Sequence, residues 1–230
     1  MTYRFNGNGR ANKVDPMKQI LTGIISLGVI SLLGIWSCKE SQITRPDEFR
    51  GNPISQIPSD GVIRLSGSPY LVIDTLLVDS GKTLRIEPGV ELRFEEALPL
   101  IVKGNIRAEG TAEAPIIFTS GKKYPRRGDW DGIWLIGAQE AVFTYATFFF
   151  GAKYGRHYRY RDIRPGVRDS TVLDYGSITA IASNPRIDRC WFAGGGFHGV
   201  HCDSLSRPVI HHSVFYDNAG HGIYVRWDAD

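Results

Sequence analysis

Residues 185–202, PRIDRCWFAGGGFHGVHC, realign with residues 208–225, PVIHHSVFYDNAGHGIYV, at a shift of 23 positions. Five of the eighteen pairs are identical: Pro185/Pro208, Ile187/Ile210, Phe192/Phe215, His198/His221 and Gly199/Gly222. They fall on apolar and turn-forming positions, where a chain that coils back over itself must repeat its residue types. Gly176 lies 23 before Gly199, and residues 143–148, FTYATF, match the pattern of 187–192. In a coil of strands, alternate residues point inward and meet the equivalent residue of the next turn. Ile187, Phe192, Val200 and Cys202 are therefore expected to stack on Ile210, Phe215, Ile223 and Val225.

Upstream, short β-type runs at 62–65, 70–78, 83–86, 90–94, 100–102, 116–119, 133–136 and 142–150 alternate with Gly, Pro, Asp and Ser. Outside residues 20–36 no window of a dozen residues keeps a helical period, so few helices are expected. The composition agrees. Gly makes up 26 of 230 residues, above the usual level of about 7%, which implies many turns and many short strands. Charged residues at 22% and hydrophobics at 42% exclude wholesale disorder. A net charge of +3 singles out no polyanion partner, and three cysteines without CxxC spacing exclude a disulfide scaffold or a cysteine metal centre.

A β repeat of 22–24 residues without a leucine lattice or an asparagine ladder is not a leucine-rich repeat. The segments 84–94 (LRIEPGVELRF), 100–111 (LIVKGNIRAEGT), 114–120 (APIIFTS) and 128–137 (GDWDGIWLIG) resemble the opening coils of bacterial right-handed parallel β-helix repeat proteins. The resemblance implies an all-β, right-handed parallel β-helix over residues 61–230, with about seven coils. The open strand edges of its first coil need a cover, for which residues 43–60 are available. The chain stops at Asp230 directly after a repeat strand, from which a truncated chain or one half of an assembly is expected.

Residues 20–36, ILTGIISLGVISLLGIW, are seventeen uncharged positions after Lys18. Their end, Leu33-Gly34-Ile35-Trp36-Ser37-Cys38, resembles a bacterial lipoprotein signal, with Trp36 in place of the usual small residue. The resemblance implies lipidation of Cys38, a signal segment at 1–38 (with 1–16 an over-extended start), and a tether at 39–60 carrying Pro46, Pro53 and Pro58. An uncleaved membrane anchor is the alternative. Lys39-Glu40-Ser41-Gln42 resembles the start of Bacteroidetes-type surface lipoproteins. The expected location is the cell envelope, at the outer membrane or cell surface.

Chemistry-bearing residues concentrate in two places. His198, His201, His211, His212 and His221 lie within 24 residues, with Asp203 and Asp217 alongside. Stacked imidazoles can bind metal or move protons, but a polar residue before a coil-corner glycine explains His198 and His221 equally well. Gly220-His221-Gly222 resembles the Gly-His-Gly motif of polygalacturonase-type hydrolases, yet that family's Asn-Thr-Asp and paired-Asp motifs are missing upstream. The carboxylates Asp188, Asp203 and Asp217, with Arg186, Arg189 and Arg207, do not recur at coil spacing, as a calcium-dependent lyase site would need. No cofactor or metal is expected, calcium entering only under the lyase alternative.

The second concentration is a pair of basic, aromatic loops, 121–130 (GKKYPRRGDW) and 151–169 (GAKYGRHYRYRDIRPGVRD). Arg forks bind carboxylates and Tyr faces stack on sugar rings, so Lys122, Lys123, Arg126, Arg127, Arg156, Tyr158, Arg159, Tyr160 and Arg161 are candidate ligands of an anionic polysaccharide. A solvated loop is the bland alternative, and nucleic acid is not the expected partner of an envelope protein. The expected function is a binding or structural module of the envelope. The alternative is a polysaccharide lyase or glycoside hydrolase whose site lies partly outside this chain.

Overall fold

A computed structural model describes residues 51–153, 175–203 and 205–226, and the backbone of Tyr3–Phe5, Ala11–Lys13, Tyr158–Arg159 and Thr171–Val172. The chain divides into two units, Met1–Thr44 and Arg45–Asp230. In the first, Tyr3–Phe5 pairs antiparallel with Ala11–Lys13. The apolar segment 20–36, Cys38 and residues 39–50 lie outside the described residues. Among the described residues no helix is long and apolar enough to cross a membrane.

The second unit is a right-handed parallel β-helix. Its first sheet contains Val62–Ile63, Thr83–Ile86, Asn105–Glu109, Ala141–Thr144, Arg186–Asp188 and Val209–His211. The second contains Asn52–Ile54, Tyr70–Val72, Glu91–Phe94, Ile116–Ser120, Ala146–Phe149, Trp191–Ala193 and Val214–Tyr216. The third contains Leu76–Val78, Pro99–Val102, Gly132–Ile136, Gly176–Ile181, His198–Cys202 and Ile223–Val225. The chain visits the sheets in this order and then advances one coil, so six coils are complete among the described residues. The expected seven assumed 23 residues throughout. Two coils are longer, because extra residues separate Ser120 from Gly132 and Phe149 from Gly176.

The expected ladder is observed. Ile187 pairs with Ile210, Phe192 with Phe215, Val200 with Ile223 and Cys202 with Val225. Phe143 and Phe148 sit in register with Ile187 and Phe192. One step differs: Gly176 pairs with His198 rather than Gly199, and Ile178 with Val200, so this step is 22 residues. The end of the expected tether also differs. Asn52–Ile54 adds an edge strand to the second sheet, paired with Tyr70–Val72, and buries Ile54. It closes one open edge of the first coil, as the expected cover would.

The interior is built around one repetitive apolar cluster. Phe118, Phe148, Phe192 and Phe215 form one column, with ring centroids 4.9, 4.6 and 4.9 Å apart and planes within 8° of parallel. That spacing is the strand separation itself, about 4.8 Å, so identical rings on consecutive coils stack without strain. Trp130 caps Phe94 at 4.3 Å and donates its indole N–H to the Phe149 carbonyl at 2.8 Å. Cys190 and Cys202 are free and fully buried, and burial pushes both thiols up to about 12. In the last coil Ile223 and Val225 remain about two-fifths exposed, because their strand has a neighbour on one side only.

Candidate functional site

Alternation along the second sheet turns Thr147 and Phe149, Trp191 and Ala193, then Val214 and Tyr216 outward on successive coils. Trp191 is 52% exposed and Tyr216 is 69% exposed. Tyr216 stands one strand along and two residues on from the position paired with Trp191. Diagonal neighbours of this kind lie roughly 7–8 Å apart, within reach of one another's large side chains. On the side facing the first sheet, this platform falls into an open cleft of about 300 Å³, lined by Ala112, Pro115, Tyr145, Thr147, Phe149, Arg189 and Trp191.

A ridge borders the cleft where the first sheet turns into the second. The turn is made by one residue in the left-handed region: Tyr145 (φ 45°), Arg189 (φ 51°) and His212 (φ 47°) on consecutive coils. The ridge is tied along the coil axis, since Tyr145 N–H donates to the Asp188 carbonyl and Arg189 N–H to that of His211. The Arg189 guanidinium lies 5.6 Å from the Tyr145 ring centroid, a cation–π contact, and pairs with one oxygen of Asp188. The other Asp188 oxygen lies 2.8 Å from His212 Nδ1. A carboxylate only accepts, so His212 carries its proton on Nδ1.

The His212 hydrogen bond, with the nearby Arg189 charge, lowers the Asp188 pKa below its ordinary value of 3.8. A carboxyl depressed in the folded state contributes stability above its unfolded pKa and loses it as pH falls through the folded one. An NMR titration of the Asp188 carboxyl is expected to give a midpoint below 3.8 in the folded chain. A midpoint at or above that value would contradict the ridge geometry.

The basic loop at 121–130 is organised by a buried carboxylate. Asp129 accepts the Ser120 hydroxyl at 2.8 Å, the Arg126 backbone N–H at 2.8 Å and the Lys122 ammonium at 3.1 Å. Lys122 also reaches Glu96 at 3.1 Å, and Arg127 pairs with Asp217. Lys122 and Arg127 are therefore committed to carboxylates. Lys123 lies 5.4 Å from the Tyr124 ring centroid, and Arg126 is exposed at the surface. Of the second loop, Tyr158 and Arg159 contribute backbone to a strand paired with Thr171 and Val172. Arg156, Tyr160 and Arg161 lie outside the described residues.

The histidines divide into two groups. His198 stacks on His221 (5.3 Å, 8°) and on Tyr224 (4.6 Å, 3°), and its Nδ1 accepts the His221 backbone N–H at 2.9 Å. An accepting Nδ1 places the ring proton on Nε2. His198 and His201 are buried within the third sheet rather than lying at a solvated corner. Among the described residues no three or more His, Cys, Asp or Glu are arranged to hold a metal ion. The three carboxylates considered for lyase chemistry occupy separate networks. Asp188 belongs to the ridge, Asp217 to Arg127, and Asp203 accepts from the Ala182 and Leu205 N–H groups and the Ser206 hydroxyl.

Sequence reasoning singled out neither Trp191 and Tyr216 as a platform nor Tyr145, Arg189 and His212 as a unit. The signal was in the repeat: once Phe192 and Phe215 are inward, Trp191 and Tyr216 must be outward.

The sequence model of the pectate-lyase-like β-helix domain matches residues 57–146, the first coils and the Tyr145 corner. A 65-residue stretch is 40% identical to Protein bark beetle of Drosophila melanogaster. That stretch covers 28% of this chain and 2% of that protein, so the chain spans only a small fraction of its curated relative. No solved structure matches the chain significantly. Its coils and its similarity to the pectate-lyase-like domain make the chain a parallel β-helix repeat protein.

Proposed function

We propose that this chain is a carbohydrate-binding module of the cell envelope, holding an anionic polysaccharide on the outer face of its second sheet. The observation that carries the reading is the pair of exposed aromatic side chains, Trp191 and Tyr216, on neighbouring strands beside a cleft edged by Arg189. Pyranose rings have apolar faces that cover aromatic rings, and a guanidinium fork suits a carboxylate. The pectate-lyase-like match over residues 57–146 supports a carbohydrate ligand. Lipidation of Cys38 would tie the module to a membrane, since each buried methylene of an acyl chain adds about 0.8 kcal/mol.

The test is electrophoresis of the full chain through native gels containing polygalacturonate or alginate. Retardation that weakens with added salt is the expected result, and mobility unchanged by every polymer would end the reading. Radiolabelled palmitate incorporated by the wild type and lost in Cys38→Ala tests the anchor. The pectate-lyase-like similarity also favours a second reading, a lyase or hydrolase. Ultraviolet-absorbing unsaturated uronate, or new reducing ends, released from these polymers would select it over a binder.

A further inference from the structure

Resting on the carbohydrate-binding reading, we infer that the ridge of Tyr145, Arg189 and His212 is the specificity-determining edge of the cleft, with Arg189 receiving the carboxylate of an acidic sugar whose ring lies against Trp191. This assigns acid-sugar recognition to the ridge rather than to the basic loops at 121–130 and 151–169.

Three observations converge on Arg189. Among the described residues it is the one charged side chain lining the cleft, the others being aliphatic, aromatic or hydroxyl-bearing. The neighbouring cleft on the first sheet holds Arg107 and Arg186 against Glu109, Glu140 and Asp188, so carboxylates outnumber cations and a polyanion is repelled there. Across the ridge, the sign of the surface changes within one residue of the chain, from Asp188 to Arg189.

Second, the guanidinium is held with donors to spare. One nitrogen bonds Asp188, and the Tyr145 ring supports the group at 5.6 Å, while a guanidinium has five N–H donors in a rigid plane. Asp188 is itself fixed by His212 from the next coil, so Tyr145, Arg189 and His212 are positioned as one unit on three coils. Asp188 and His212 act through Arg189 and are positioning residues.

Third, the left-handed turn aims these side chains away from the core and sets up a clean test. Glycine adopts this backbone more easily than arginine, so removing the side chain does not break the turn. Loss of recognition and loss of fold are thereby separable.

The experiment compares the full chain with Arg189→Gly, Arg189→Lys and Trp191→Ala on polygalacturonate and on the same polymer fully methyl-esterified, in which each carboxylate is replaced by a neutral methyl ester. The wild type is expected to prefer the acid polymer at least tenfold. Arg189→Gly is expected to bind both alike and to melt at an unchanged or higher temperature. Arg189→Lys restores only part of the preference, because a lysine ammonium cannot form the two parallel hydrogen bonds of a fork. Trp191→Ala weakens both polymers together.

If Arg189→Gly keeps the tenfold preference, another group reads the acid and the inference is wrong, while the carbohydrate-binding reading stands. Loss of both polymers together with a lower melting temperature would mark the ridge as merely structural and would also overturn it. A wild type that binds neither polymer defeats the underlying reading, and this inference with it.

Discussion

Phe148→Ala is expected to destabilise the β-helix by about 3–5 kcal/mol, a large part of the stability of a domain this size. Phe148 sits mid-column, 4.9 Å from Phe118 and 4.6 Å from Phe192, with Phe143 edge-on at 5.7 Å. It is fully buried, and its removal leaves rings above and below that the backbone ladder holds apart. The cavity cannot collapse, because the coil spacing is set by hydrogen bonds and not by side chains. Urea unfolding of wild type and variant measures the loss. Phe148→Leu, which refills much of the volume, is expected to recover over half of it. A loss below 1 kcal/mol would mean that the aromatic column is not the principal packing element.

The second large effect concerns binding. Trp191→Ala is expected to weaken polysaccharide binding about thirtyfold, some 2 kcal/mol, as truncation of a central aromatic anchor does. The same substitution should leave stability within about 0.5 kcal/mol, since the side chain is half exposed and faces away from the core. Affinity electrophoresis and thermal melting, run on one preparation, separate the two. Tyr216→Ala should give a smaller loss, because it stands farther from the cleft. If the tryptophan variant binds as well as wild type, the outer face of the second sheet is not the binding surface.

How much was legible in the sequence follows from where each interaction closes. The inward positions were readable because a stacked coil repeats them on its nearest neighbour in the sequence, as Phe192 and Phe215 do 23 residues apart. The coil count was not. A corner accepts an insertion of arbitrary length without disturbing the ladder, so Ile106 pairs with Ala141 and Ile133 with Ile178.

The partners of the 121–130 loop were not legible for a related reason. Arg127 finds its carboxylate on Asp217, 90 residues later, through stacking of coils that no local pattern announces. Lys122 is answered from both directions, by Glu96 before it and Asp129 after it. The ridge escaped notice because Tyr145, Arg189 and His212 share no side-chain chemistry. They share a backbone angle, which the sequence displays only where glycine or asparagine marks it.

The ladder also dictates the order in which the protein can form. Each strand finds its partner within 45 residues upstream, the longest step being Ile133 to Ile178 and the usual one 22 or 23. A coil emerging from the ribosome therefore needs only the coil already made as its template, and nothing synthesised later. Growth by accretion of this kind keeps loop-closure entropy nearly constant from coil to coil. At the growing end it always leaves a set of unpaired edges, which the next coil is about to cover.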